Sequence, residues 1–304
     1  MTDWIKSLNI KVILAFGAVY IIWGTTYLAI KIGIAEMPPF LMASFRYFIG
    51  GMVLIGLCLI RNKQPLNKEV WQNMVLGGFM LTLGQGTLFW AEQHISSGLT
   101  AVLVSTLPIF YILVDRKNWK GYFNSKLTIV SILLGLIGIL ALFKDQLVVG
   151  ASKDPLTIIA SLVVLSSCLS WAIGSIYYKN RASPERLFHD VAWQLIGGSI
   201  ACILVSLVAD PLATFSFDQV SLKTWGAIVY LAIAGSVIAF TASYYLLSVR
   251  PPAVVGTYAY VNPIIAVILG VLVAEEVITW SQFVGILIIL LAAYLSNRVK
   301  LKNK

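Results

Sequence analysis

Ten apolar runs of about 18 to 25 residues follow one another along the chain, at 12–30, 39–60, 73–93, 96–114, 127–143, 156–178, 190–209, 224–247, 252–274 and 278–297. Coiled as helices, each is long enough to cross a hydrocarbon layer about 30 Å thick. A water-soluble globule has no room for them, because with 59% hydrophobic and 12% charged residues the chain has too little polar surface to cover its core. The expectation is an all-α integral membrane protein with ten transmembrane helices. Lys6 and Lys11 precede the first run in the manner of a secretory signal. It lacks a small-residue cleavage pattern and nine further spans follow, so it reads as a retained helix.

The chain also repeats itself. Trp23 to Lys31, WGTTYLAIK, returns as WAIGSIYYK from Trp171 to Lys179, a shift of 148; Ile49-Gly50-Gly51 returns as Ile196-Gly197-Gly198, and Pro108 as Pro263. Self-similarity at half the chain length, in a chain this apolar, is the mark of a duplicated membrane carrier. The halves are 12–143 and 156–297, with five runs each.

Charge gives the orientation. Of the 22 Lys and Arg residues, 17 fall on one set of alternate loops, 4 (Lys31, Lys144, Lys153, Lys223) on the other, and Arg46 lies inside a run. The richer side is cytoplasmic by the positive-inside rule, which places both termini there. Five spans per half is an odd number, so the second half enters the membrane from the opposite face and the repeat is inverted.

Several polar and aromatic residues are candidates for a site. Trp23, Tyr27 and Lys31 share one helical stripe, as do Trp171, Ser175 and Lys179. Lys31 and Lys179 suit two related gates around a central cavity; the alternative is that they snorkel to headgroups. Arg46 lies about two turns into its run, where a lone charge is costly, so an acidic partner is expected, with Glu92 first on depth and Glu36 second. Pro108 and Pro263 sit well inside their runs and are expected to bend them, leaving a carbonyl free one turn back. Tyr258, Tyr260 and Asn262 lead into Pro263, and Gln85, Trp90, Tyr244 and Tyr245 extend the same aromatic wall. Aromatic faces with a few hydroxyl and amide groups suit small amphipathic solutes. The alternative for any of these rings is packing between helices.

Other chemistries find little support. Cys58, Cys168 and Cys202 are odd in number and lie in apolar runs, as small core residues do rather than a disulfide framework or a metal site. The basic residues are dispersed between spans, which argues against nucleic acid. No H-E-x-x-H, G-x-S-x-G, Walker-type loop or C-x-x-C pair occurs, and His94 and His189 stand at segment ends. No enzyme activity, cofactor or metal is expected.

Four motifs then combine: W-G-T-T-Y-x-x-I-K from Trp23, P-P-x-x-x-A-x-x-R-Y from Pro38, Ala91-Glu92 before Ser96-Ser97-Gly98, and Y-V-N-P from Tyr260 followed by Glu275-Glu276 and Gly285. Together they resemble the EamA-domain proteins of the drug/metabolite transporter superfamily, in particular their YedA-like branch, over nearly all of residues 12–297. The resemblance implies two inverted five-helix repeats and a central cavity in an inner-membrane exporter of metabolites, amino acids or amphipathic drugs. It also implies an acidic residue before the last helix of each repeat; Glu275-Glu276 supplies it in the second, whereas Gly121-Tyr122 stands in the first. Superfamily members that carry sugar phosphates use basic residues, for which only Lys31, Arg46 and Lys179 are candidates here, so zwitterionic or neutral solutes are favoured over polyanions. The partners expected are a small-molecule substrate and the lipid bilayer, with or without a coupled proton, in a monomer or weak homo-oligomer. An importer or uncoupled facilitator is the alternative within transport, and an intramembrane enzyme or sensor the alternative outside it.

Overall fold

The computed structural model describes residues 10–60, 68–95, 97–142, 144, 155–274 and 279–298, and among them the chain forms helices and no strand. Glu275 and Glu276 lie outside the described residues, as do Lys6, Arg61, Lys63, Lys153 and the last three lysines. The helices are α1 Ile10–Ile34, α2 Pro39–Ile60, α3 Glu69–Ala91, α4 Leu99–Val114, α5 Lys126–Leu142, α6 Pro155–Lys179, α7 Leu187–Ala209, α8 Leu222–Val249, α9 Tyr258–Ala274 and α10 Trp280–Asn297. Each falls on one of the apolar runs. Among the described residues six of them, α1, α2, α3, α6, α7 and α8, are long and apolar enough on their own to cross a membrane.

Local chemistry sets several ends. Pro39 opens α2, where its missing N–H has no helical partner to lose. Ser221 caps α8 by accepting the Thr224 N–H, and Thr279 and Gln282 form a reciprocal capping box at the start of α10. Pro108 departs from expectation. It does not kink a continuous helix: α4 breaks at Ser105–Thr106 and restarts at Leu107, which puts Pro108 in a first turn where no hydrogen bond is lost. The Ser105 and Thr106 hydroxyls donate back to Val102 O and Leu103 O, both at 2.6 Å, and so satisfy carbonyls at the break. Beyond Val114 the chain turns through 73° into a short arm, Arg116–Asn124. Pro263 does lie inside a helix, α9, as expected.

The packing is that of a protein in lipid. Val208 is 90% exposed, Leu222 88% and Ile60 82%, while Arg46, Asp190, Gln194 and Asn262 are buried. Apolar groups turned outward and polar groups turned inward are stable only where the solvent is hydrocarbon. The halves meet through matching elements, α2 against α7 and α5 against α10. The repeated glycine pairs occupy corresponding crossings, since Gly50 of α2 faces the Ala232 carbonyl of α8 and Gly197 of α7 faces the Met74 carbonyl of α3. Both α3 and α8 widen into π-type turns midway, at Thr82–Gly86 and Leu231–Phe240. Such turns recur at functional sites.

Candidate functional site

A cavity of about 590 Å³, counting space open to solvent, lies between α1, α2, α3, α4, α6 and α9. Seven of the residues singled out from the sequence line it. Trp23 and Tyr27 come from α1, as their shared stripe requires, and Trp171 faces them from α6. Arg46, Gln85, Tyr258 and Asn262 complete the set. Thr26, Phe89, Ser167 and Cys168 also line it and were not anticipated. A phenylalanine or cysteine in an apolar run carries no sequence mark that separates a cavity wall from packing.

Trp23 is the hinge of this arrangement. Its ring meets Trp171 edge-on at 5.8 Å and Tyr258 at 4.6 Å, and its Nε1 donates to Gly235 O at 3.1 Å. A Cβ at Gly235 would stand 3.0 Å from Arg46 Nη2 and 3.2 Å from Thr26 Cγ2, so the glycine leaves room for those two side chains. Asn262 donates through its amide nitrogen to Tyr20 O at 3.1 Å and Tyr258 O at 3.0 Å. It therefore ties α9 to α1, and the carbonyl it serves within its own helix is that of Tyr258, four residues back from itself.

The ion pair expected between Arg46 and Glu92 or Glu36 is absent. Its Nε donates to Ser236 Oγ at 2.9 Å, its guanidinium lies over the rings of Tyr47 at 5.4 Å and Phe89 at 5.8 Å, and its Nη1 is buried with no partner. Glu92 instead stands within Coulombic reach of Lys31 and Tyr27, at the end of α3. Glu36 accepts the Ser221 N–H at 2.8 Å, and this backbone hydrogen bond, with help from Thr224 and Ser221 hydroxyls, holds its carboxyl below the usual range. Depth along the helices made Glu92 plausible, but it does not reach Arg46, and Arg46 Nη1 and Glu92 Oε1 are each buried without a hydrogen-bond partner. A charge left unmatched in a span costs at least ~2.5 kcal/mol on insertion scales, so Arg46 is an expensive residue here.

Four further residues, Trp90, Tyr244, Tyr245 and Tyr260, lie outside the cavity. Trp90 packs on His94 at 4.6 Å, and Tyr260 joins a separate cluster with Ala101, Ile139 and Ile289. Tyr244 stacks on Tyr178 at 3.8 Å and donates to Gln194 Oε1 at 2.5 Å. Tyr245 is a partly buried residue of the main core. Tyr244 has a place of its own, because rings run on from the cavity as Tyr258, Trp23, Trp171, Phe240, Tyr244 and Tyr178, with successive centroids 3.8 to 5.8 Å apart. This ladder fills the interior between the cavity and a polar cluster at the far end of α3.

In that cluster Arg186 pairs with Glu69 and Arg181 with Gln72, while Asn73 Nδ2 donates to Asp190 Oδ1 at 2.8 Å and Gln194 Nε2 to Asn73 Oδ1 at 3.1 Å. The hydrogen bond from Arg186 to Glu69 raises the guanidinium's proton affinity further. Glu69–Asn73 and Gly84–Phe89 sit at opposite ends of α3, about 20 Å apart at 1.5 Å per residue. Lys31 is exposed at the end of α1, and Lys179, at the corresponding end of α6, is half-buried and donates through Nζ to Arg250 O at 3.2 Å.

Comparison with known proteins agrees with this architecture. The model of the EamA-like transporter family matches residues 9–144 and 158–298. The inner membrane transporter YedA of Escherichia coli (strain K12) is 32% identical over 92% of this chain and 89% of its own length. The transporter YoaV of Bacillus subtilis (strain 168) is 27% identical over 95% and 97%, and the probable amino-acid metabolite efflux pump of Escherichia coli (strain K12) is 23% identical over 91% and 92%. A crystal structure 19% identical in sequence superposes with a TM-score of 0.78, covering 97% of this chain and 100% of the other, and so shares the fold. With both halves matched by one family and a relative above 30% identity over most of the chain, this protein belongs to the EamA-like transporter family and is a membrane transporter, not an enzyme.

Proposed function

We propose that this transporter exports small amphipathic solutes, among them metabolites, amino acids or drugs, across the bacterial inner membrane by alternating access. Its ten spans form two inverted five-helix repeats, and both termini are cytoplasmic. The observation that carries the reading is the aromatic cavity backed by a ring ladder and a polar cluster, because a carrier must expose its site to one side while the other is shut. The names of the inner membrane transporter YedA and of the amino-acid metabolite efflux pump support the inner membrane and the outward direction.

The polar cluster is suited to a closure that opens reversibly. Arg186 and Glu69 have side chains 27% and 38% exposed, and pairs so exposed are worth roughly 0–1 kcal/mol. Binding energy from one small solute is enough to offset several such contacts. Lys179 beside this end, and Lys31 with Glu92 at the other, are the gating and coupling candidates. Counterflow in proteoliposomes tests the carrier itself, and its response to an imposed pH gradient separates proton coupling from facilitation. Absence of exchange for every solute of a broad amino acid and drug panel would overturn the proposal.

Two results are expected on the way. Reporter fusions after Lys68, Lys126 and the C-terminus should read cytoplasmic, and those near Ala35, Lys153 and Asp218 external, from the loop asymmetry of 17 to 4; termini on opposite sides would end the ten-span model. Tyr258→Ala should change which solutes are carried, because the ring lines the cavity, whereas Tyr260→Ala should lower stability and keep the substrate ranking. Ranked transport rates at matched protein levels decide, and equal shifts in ranking for both variants would remove the distinction.

A further inference from the structure

The cavity holds two donors that the protein leaves unanswered. Arg46 is 3% exposed and Trp171 5%, and neither Arg46 Nη1 nor Trp171 Nε1 meets an acceptor at hydrogen-bonding geometry, although the Tyr111 hydroxyl stands near the indole. Buried donors are normally satisfied, and a buried guanidinium is normally matched by an anion. Among the described residues no aspartate or glutamate lines the cavity. The hydrogen-bond partner of Arg46 among the described residues is Ser236, which is neutral, and the charge within Coulombic reach of Glu92 is that of Lys31. The cavity wall therefore carries, among the described residues, one positive charge, that of Arg46, with its Nη1 edge free.

We infer that the solute supplies the missing anion: the cavity binds monoanionic amphipathic carboxylates, with a carboxylate oxygen accepting from Arg46 Nη1 and the apolar body held against Trp23, Trp171 and Tyr258. Charge and shape agree on this class. A guanidinium presents planar N–H groups that match a carboxylate, and the rest of the wall offers ring faces and too few cationic groups for a polyanion. A zwitterion finds its carboxylate partner here, but among the described residues the wall holds no acidic residue for its ammonium. This inference rests on the cavity being the transport site and narrows the solute class stated above.

The test uses the full chain purified in detergent and three probes of one shape: 3-phenylpropionate, phenylalanine and 2-phenylethylamine, which differ in their charged groups. Quenching of tryptophan fluorescence reads binding, since Trp23 and Trp171 line the cavity. We expect 3-phenylpropionate to bind at least about tenfold tighter than 2-phenylethylamine, as a charge-assisted hydrogen bond implies. Arg46→Gln should erase that preference, and Arg46→Lys should keep part of it, because the charge remains and the fork is lost. Thermal unfolding without ligand shows which variants are folded; if Arg46→Gln is not, Arg46→Lys carries the test. Equal affinity for the amine, an intact acid preference in Arg46→Gln, or phenylalanine binding more than about tenfold tighter than 3-phenylpropionate would each overturn the inference. Exchange in vesicles keeps the two readings apart. A protein that moves amines but not acids remains a transporter and loses this assignment, whereas one that binds the acid and moves no solute keeps the assignment and loses the transport reading.

Discussion

Gly197→Val, and separately Gly77→Val, should leave almost no folded protein in the membrane. At this crossing α7 and α3 touch backbone to backbone: a Cβ on Gly197 would stand 2.0 Å from Met74 O and 2.4 Å from Met74 Cα, and one on Gly77 would stand 1.9 Å from Gln194 O. No side chain is available to rotate away, so even alanine forces the two helices apart by more than 1 Å, and valine by more. Overpacking where neighbours can adjust already costs about 1–3 kcal/mol, against a total stability of about 5–15 kcal/mol. Separation here also pulls on Asn73, Gln194 and Asp190, whose hydrogen bonds span the same crossing. Gly56→Val is the control, because a Cβ there meets nothing within 4 Å. Yield of monodisperse protein after detergent extraction is the measurement, and Gly197→Val recovered at the level of Gly56→Val would show that the crossing is not as tight as the distances say.

Trp23→Ala is expected to lower transport at least about tenfold at equal protein levels, while Trp23→Phe stays within about threefold of the unmodified chain. The indole is 6% exposed and touches three other helices, through Trp171, Tyr258 and Gly235 O. Truncation of a buried aromatic costs about 3–5 kcal/mol through lost contact and the space left behind. In this position the space joins the cavity, so the loss falls on solute contact as well as on stability. Phenylalanine keeps a ring for the ladder and gives up the hydrogen bond to Gly235 O, worth about 1 kcal/mol. Counterflow rates, read together with thermal unfolding, separate the two contributions. If the alanine variant transports normally, the ladder and the cavity wall at Trp23 have no part in carriage.

Arg46 shows how an incorrect expectation became informative. Its cost in a span is a matter of depth, and depth is local, so the need for compensation was visible in the sequence. The identity of the compensating group was not. Glu92 sits at a suitable height, yet it lies within Coulombic reach of Lys31 and Tyr27 without pairing with Arg46, and the guanidinium is left with Ser236 and two ring faces. Pro108 is a smaller case of the same kind. The proline marks an irregularity, but whether the helix bends through it or restarts before it depends on what the neighbouring hydroxyls satisfy, and Ser105 and Thr106 close the break.

The sequence by itself determined what depends on neighbours along the chain: the helical runs, the duplication and the Trp23–Tyr27 stripe, and the Pro39 start and Thr279–Gln282 cap that the structure shows are local in the same way. Each of these is settled within a turn or a span, by hydrophobic length, by orphan N–H groups or by residues four apart on one face. Tertiary structure alone decided which way each helix is rotated. Tyr258 and Tyr260 are two residues apart on α9, about 200° around the axis, and one lines the cavity while the other packs beside Ile139 and Ile289. Phe89 and Trp90 are adjacent on α3, and only Phe89 faces the cavity. In a helix that is apolar all round, with lipid on one side and protein on the other, hydrophobicity no longer distinguishes the faces. Rotation is then set by close approach across distant residues, such as Gly197 on Met74 and Trp23 on Gly235, which folding brings together and sequence order does not.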